Sequence, residues 1–226
     1  MQIITNNILP QKAISKLKNF GEIILFETEG IVYPAISNHP DVFFCPVGEE
    51  LLVAPNLPEF YKNILNEKKI KFKEGKKPLG QKYPATAIYN TVVTQNHLIA
   101  NTKVIDEKVL GLSANKKIIH VNQAYTRCNL LQLSEEKFIT SDKGIFKVLE
   151  KEKMDVLYVN PAGIVLKGFK NGFFGGCCGV LENKVFIAGS LNHFAEREKV
   201  RGFLNDFEIV ELYDGPLLDV GGVLMV

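Results

Sequence analysis

The chain has 226 residues, 46% of them apolar, with 27 basic and 25 acidic side chains and four cysteines. That is enough apolar material for a full core, and a net charge of +2 supplies no broad field for nucleic acid or an anionic membrane. Four thiols in a chain this long do not read as a disulfide scaffold, MQIITNNILPQKAISK lacks the pattern of a signal peptide, and no stretch reaches membrane-spanning length, so a cytoplasmic location is expected.

In chain order, the first strand-like run is Ile3-Ile4-Thr5-Asn6: two bulky apolar residues, a small one and a turn former. Pro10 opens a helical stretch, PQKAISKLKNF, before Gly21, and Glu22-Ile23-Ile24-Leu25-Phe26 reads as a second strand. Asp41-Val42-Phe43-Phe44 makes a third. The polar turn VGEE then leads into Leu52-Val53-Ala54-Pro55, which repeats the first run.

The pattern continues to the C-terminus. Copies of the first run follow at Leu98-Ile99-Ala100-Asn101, Phe138-Ile139-Thr140-Ser141 and Phe186-Ile187-Ala188-Gly189, giving steps of 49, 46, 40 and 48 residues. Helices are expected from Pro58, around Asp106, after Asp142 as cap, and in AEREKVRGFL; each is followed by a second strand at 70–72, 118–121, 156–159 and 208–212. Third strands are expected at 90–93, 129–132, 178–181 and 222–225. The last has no following strand, and Gln2-Ile3-Ile4-Thr5 has no preceding one, so pairing them removes both open edges. The fold class predicted is α/β: a closed five-unit propeller of strand-helix-strand-strand repeats about a pseudo-fivefold axis, in a single domain over residues 1–226. An open doubly wound sheet is the alternative, but it uses one strand per helix, whereas this chain supplies about two plus a hairpin.

The five units, with the phrases QAYTRCN, ITSDKGI, GFFGGCCGVLENKVFIAGSLNHF and PLLDVGG, resemble the pentein superfamily, whose guanidine-modifying members include arginine deiminase, dimethylarginine dimethylaminohydrolase and the amidinotransferases. The chain is most similar to a bacterial branch of unknown function. The resemblance implies a cysteine-dependent hydrolase or amidinotransferase acting on a small guanidino or amide-like substrate in an axial pocket. The alternative is a non-catalytic pentein that acts by binding, as ribosome anti-association factors of this fold do.

Aligning the units puts Asp41, Asn90, Asn129, Cys178 and Gly222 at the starts of the third strands, with Pro40, Tyr89, Cys128, Cys177 and Gly221 just before them. In a fivefold ring such positions converge. Cys178, Cys177 or Cys128 is then the candidate nucleophile, His39 in NHPD the base, and Asp41 and Asp219 the carboxylates for a guanidinium, with Asn90 and Asn129 as further substrate contacts. The plainer reading is that small thiols and amides simply fill the axis. The chain departs from the enzymes it resembles at two places. DVGGVLMV carries Met225 where they have their nucleophilic cysteine, and Gly175-Gly176 is followed by Cys177 where they have a guanidinium-binding acid.

Other signals are weaker. Neither a cofactor nor a metal is expected: the glycines from 168 to 179 match no dinucleotide or phosphate-loop spacing, and a site from Cys128, Cys177, Cys178 and His39 lacks any C-x-x-C pair. The basic run NEKKIKFKEGKK reads as a solvated helix end and loop. His120 is expected in the core, His97 exposed after a turn, and His193 at a helix start. KGFKNGFF at 167–174 is expected to form a hairpin with exposed aromatics, serving as a lid or a self-association surface. The expected partner is thus a small molecule, with neither nucleic acid nor membrane, and with room for a homo-oligomer.

Overall fold

The repeated run of two bulky apolar residues and a small one is the middle strand of a three-stranded sheet. Ile3 and Ile4, Leu52 and Val53, Leu98 and Ile99, Phe138 and Ile139, and Phe186 and Ile187 are all fully buried. A strand covered on both faces has no solvent side, so it shows no polar alternation. The small residue that follows, Thr5, Ala54, Ala100, Thr140 or Ala188, is buried as completely.

In the computed structural model, which describes residues 1–226, the first unit is β1 (Gln2–Asn6), α1 (Gln11–Leu17), β2 (Glu22–Phe26), a short helical turn α2 (Pro40–Phe43) and β3 (Phe44–Val47). The second is β4 (Glu50–Val53), α3 (Glu59–Glu67), β5 (Phe72–Glu74) and β6 (Val92–Val93). The third is β7 (His97–Ala100), α4 (Glu107–Leu112), β8 (Lys117–His120), the turn α5 (Thr126–Asn129) and β9 (Leu130–Gln132). The fourth is β10 (Lys137–Thr140), α6 (Lys143–Lys151), β11 (Asp155–Tyr158), a 3-10 turn at Gly175–Cys177 and β12 (Cys178–Leu181). The fifth is β13 (Lys184–Ile187), α7 (Arg197–Phe203), β14 (Glu208–Glu211) and β15 (Leu224–Met225).

The strands form five mixed sheets in the orders β15-β1-β2, β3-β4-β5, β6-β7-β8, β9-β10-β11 and β12-β13-β14. Each middle strand runs parallel to the strand across its helix and antiparallel to its other neighbour. The terminal strands pair: Ile3 lies opposite Met225 and Ile4 opposite Leu224, and Gln2 and Val226 exchange backbone bonds of 2.8 and 2.9 Å.

The helices lay one apolar stripe on the sheets. α1 buries Ala13, Ile14 and Leu17, and α6 buries Ile145 and Leu149, the i, i+3/i+4 spacing that puts side chains on one face. The Asp142 carboxylate caps α6 by accepting from Ile145 N at 2.8 Å. No helix is long and apolar enough to cross a membrane.

Hydrogen bonds link each unit to the next. Asn90 Nδ2 donates to Asp41 O (3.0 Å), Thr126 N to Asn90 O (3.2 Å), Ser141 N to Asn129 O (3.0 Å), Val223 N to Cys178 O (3.0 Å) and Asp41 N to Gly221 O (3.1 Å). The last of these returns from the fifth unit to the first.

Several local expectations are corrected. The third strands start later than expected in every unit but the fourth: Asp41 and Asn129 lie in helical turns, and Asn90 and Gly222 precede β6 and β15. Residues 167–174 form no hairpin: they are turns and irregular backbone with Phe169 exposed, and Val165 just before them makes an isolated parallel bridge with Leu218. His120 is exposed, not core, and its Nδ1 bonds Thr102 Oγ1 at 2.8 Å. His97 is mostly covered and pairs through Nδ1 with Glu135 at 2.9 Å. His193 ends a 3-10 turn and meets Asp214 at 2.7 Å. In the basic run, Lys68, Lys73 and Lys76 each face a carboxylate: Glu22, Glu50 and Glu107.

Candidate active site

Two short turns aim polar side chains inward. Pro40 occupies the first position of α2, where its fixed φ suits a helix start. His39 therefore sits just outside the turn in extended backbone, and Asp41 falls within its first residues. Cys128 lies in α5. One amide ties the two turns together: Asn90 Oδ1 accepts from Cys128 N at 3.1 Å, while Nδ2 donates to Asp41 O at 3.0 Å and Cys128 Sγ at 3.1 Å.

The Cys128 thiol donates to Asp41 Oδ2 at 2.8 Å. One ligating atom from each of His39, Asp41 and Cys128 lies within 4.8 Å of the others. Asp219 joins from the segment before β15. Its Oδ2 accepts from Phe173 N at 2.8 Å and its Oδ1 from Gly221 N at 3.1 Å. His39 Nδ1 stands 3.8 Å from Asp219 Oδ1, beyond hydrogen-bond reach. His39, Asp41, Cys128 and Asp219 are all buried, yet both ring nitrogens of His39 and Oδ1 of Asp41 have no hydrogen-bond partner. Interior polar groups are normally paired with protein, water or an ion, so these three atoms mark the polar face of the cluster.

Two glycines make room for this cluster. A Cβ on Gly176 would overlap Asp219 Oδ1, and one on Gly221, whose φ is +70°, would overlap His39. The Gly-Gly before Cys177 thus admits an acid from a different part of the chain.

The electrostatics favour a neutral thiol. Burial pushes the Cys128 thiol well above its ordinary range, the charges of Asp41 and Asp219 and the bond to Asp41 add to this, and the Asn90 amide opposes it. Burial also raises Asp219, opposed by His39 and reinforced by Asp41. No lysine or arginine pairs with either carboxylate.

A cavity of about 100 Å³ opens on the cluster, with His39, Cys128 and Asp219 at its polar end. Tyr33, Tyr125, Leu166, Phe169 and Phe173 wall it, and no lysine or arginine lines it. The two tyrosine hydroxyls are 3.0 Å apart, and that of Tyr125 also bonds Thr86.

The predicted residues therefore divide. Cys128, His39, Asp41, Asn90 and Asp219 come together; Cys177, Cys178 and Asn129 lie outside the cluster. Cys177 Sγ donates to Phe173 O at 3.3 Å, and burial followed by the Asp219 charge raises its thiol well above the ordinary range. Cys178 lines a separate cavity of about 300 Å³ beside Arg127, Val92 and Val223, and its thiol is raised by the same two causes. Asn129 is spent on structure, donating to Tyr125 O at 2.9 Å and accepting from Ser141 Oγ at 3.1 Å. Counted back from the observed strand starts, Asn90, Cys128 and Gly176 are equivalent, each two residues before its strand. The sequence alignment had instead matched Asn90 with Asn129 and Cys178. Tyr33, Tyr125 and Leu166 were not singled out from sequence; the only signal was Tyr125 within QAYTRCN.

Comparison with solved structures matches the fold. An amidinotransferase, SxtG from Microseira wollei, superposes with a TM-score of 0.57 at 14% identity, covering 93% of this chain and 87% of that one. DDAH from Pseudomonas aeruginosa, solved with citrulline, gives 0.54 at 8% identity over 93% and 91%. Agmatine deiminase from C. jejuni gives 0.55 at 11% identity over 93% and 74%. These are pentein-superfamily folds, and at such identities the likeness concerns the fold. No curated protein matches the chain. The model described as "Family of unknown function (DUF6873)" matches residues 4–224, and the chain belongs to that family.

Proposed function

We propose that this protein is a cysteine-dependent hydrolase or amidinotransferase of a small guanidino or amide-like substrate, with Cys128 as nucleophile. The reading takes residues 1–226 as one pentein-like domain, a five-unit ring closed about a pseudo-fivefold axis; the unit-to-unit hydrogen bonds and the β1–β15 pairing support it. Four free cysteines fit a cytoplasmic setting. The observation that carries the proposal is the buried constellation of thiol, imidazole and two carboxylates at the end of a cavity.

In this scheme a guanidinium enters with its N–H groups toward Asp219 and its flat apolar faces against the aromatic walls. Its positive charge offsets the carboxylates that hold the Cys128 proton in place, so the proton passes to His39. The thiolate then forms an S–C bond to the guanidino carbon. His39 returns the proton to the departing nitrogen as the C–N bond breaks. Water, or an acceptor amine in the transferase case, next attacks the same carbon; His39 takes its proton and passes it to the departing Cys128 sulfur as the S–C bond breaks. Asp41 and Asn90 position the sulfur. With about 100 Å³ of space and no cationic side chain for a carboxylate, the cavity suits guanidines without an amino-acid head, such as methylguanidine or agmatine, better than arginine.

The second reading is a binding protein without turnover. It is favoured by the elevated Cys128 thiol, held as a donor to Asp41 in the resting state. A melting screen with methylguanidine, agmatine and arginine, followed by intact mass, separates the two. Stabilisation by the first two with a mass adduct on the Cys128 peptide supports catalysis; stabilisation without adduct or product supports binding; no stabilisation by any guanidine removes both.

A further inference from the structure

The same cluster has the composition of a metal site. A divalent ion of borderline softness takes imidazole nitrogen, carboxylate oxygen and thiolate sulfur together, commonly in tetrahedral geometry. His39, Asp41 and Cys128 offer one of each, within 4.8 Å of one another and all buried. A tetrahedron with bonds of about 2.0–2.3 Å has edges of roughly 3.3–3.8 Å, so these atoms need only small side-chain shifts to converge. Asp219 Oδ1, 3.8 Å from His39 Nδ1, lies beside this set, next to the imidazole, and is not one of its three mutually close ligands.

Two further observations point to an ion. The unpartnered atoms are potential donors: both His39 nitrogens and Asp41 Oδ1. The charge is also unbalanced. Two buried carboxylates have His39 as their only nearby basic group, and buried charges without counter-charge are costly. A divalent cation offsets both, and it favours the thiolate that the carboxylates otherwise suppress.

We propose that His39, Asp41 and Cys128 bind a single Zn²⁺-like ion, with the Asp219 carboxylate beside His39 adding to the negative charge around it, and that the bound ion blocks the Cys128 sulfur. As the metal–sulfur bond forms, the Cys128 proton leaves to solvent; no electrons are transferred. This ligand set differs from the cysteine-led one weighed in the sequence, since Cys177 and Cys178 take no part. The metal site rests on its ligands alone, whereas its role as an inhibitor rests on the proposed function above.

The test begins with full-length protein stripped by a chelator and titrated with Co²⁺. A sulfur-to-cobalt charge-transfer band saturating at one ion per chain, and abolished by added Zn²⁺, is expected. Cys128→Ser should lose the band, His39→Gln should weaken binding by at least roughly 10-fold, and Cys178→Ser should change neither. Absence of the band in the wild-type chain overturns the proposal, as does a band that survives in a folded Cys128→Ser variant. Saturating Zn²⁺ should also stop iodoacetamide alkylation of Cys128; unabated alkylation overturns the blocking role. Cobalt binding in a chain whose metal-free form yields no guanidine adduct upholds the metal site while the enzymatic reading falls. Adducts without a cobalt band do the reverse.

Discussion

Gly176 and Gly221 shape the cluster by what they lack. Gly176→Ala forces a methyl group against Asp219, and overpacking of this kind costs about 1–3 kcal/mol. Urea unfolding should show that loss, and any melting shift by methylguanidine should disappear with it; unchanged stability would mean that Asp219 sits elsewhere. Asp41 governs the neighbouring thiol by charge and hydrogen bond, both of which raise it. Asp41→Asn removes the charge, so the pH profile of Cys128 alkylation should move to lower pH in peptide-mapped rates. A profile that stays in place or moves up contradicts the assigned control. At this scale the sequence was only partly readable. His39, Asp41, Asn90, Cys128 and Asp219 were visible as residue types, but which cysteine meets the acid depends on a shift of one or two residues at the strand starts. Pro40 followed by an acid is a helix-start signal, and Asp41-Val42-Phe43-Phe44 hides it by also reading as an apolar strand.

Elements were more legible because their causes are local. Each middle strand announces itself by paired bulky residues, and the cap of α6 by Asp142. Asp142→Ala should cost about 0.5–2 kcal/mol, the usual worth of an N-cap. Asp106 carries more. Besides capping α4 through Lys108 N at 2.8 Å, its Oδ2 accepts from Lys76 N at 3.0 Å, Lys77 N at 2.8 Å and the Tyr89 hydroxyl at 3.3 Å. It thereby fastens the end of the basic run to the third unit. Losing one acceptor for several donors leaves those donors unmet. Urea unfolding of Asp106→Ala should therefore show a larger loss than Asp142→Ala; an equal loss would reduce Asp106 to an ordinary cap. Contacts this distant in sequence have no local signature, which is why Asp106 was readable as a helix start and not as a clamp. The segment 167–174 was misread for a related reason: its Gly and Asn turn residues suit a hairpin, yet Phe173 N is held by Asp219, far along the chain, and Val165 just before the segment bridges Leu218.

At the scale of the whole molecule, the free thiols of Cys45, Cys128, Cys177 and Cys178 are all raised, with burial the first cause in each case. Unfolded thiols ionise near about pH 8.5 while the folded ones keep their protons. The unfolded state therefore binds fewer protons above that pH, and stability present below it is lost as pH rises, by up to about 1.4 kcal/mol per pH unit for each thiol. Urea midpoints should fall between about pH 8 and pH 10, and less steeply in Cys178→Ala; a flat profile would mean that the thiols are not sequestered. The five-unit plan was the most legible feature, since a period survives errors in any single element. The paired ends carry a consequence for biosynthesis. On a ribosome β1 is made before β2 to β14 and its antiparallel partner β15 after them, so the Gln2 amide that bonds Val226 O waits for all the intervening strands. The β15-β1-β2 sheet cannot be completed until β15 has left the exit tunnel, and until then β1 carries one bare margin.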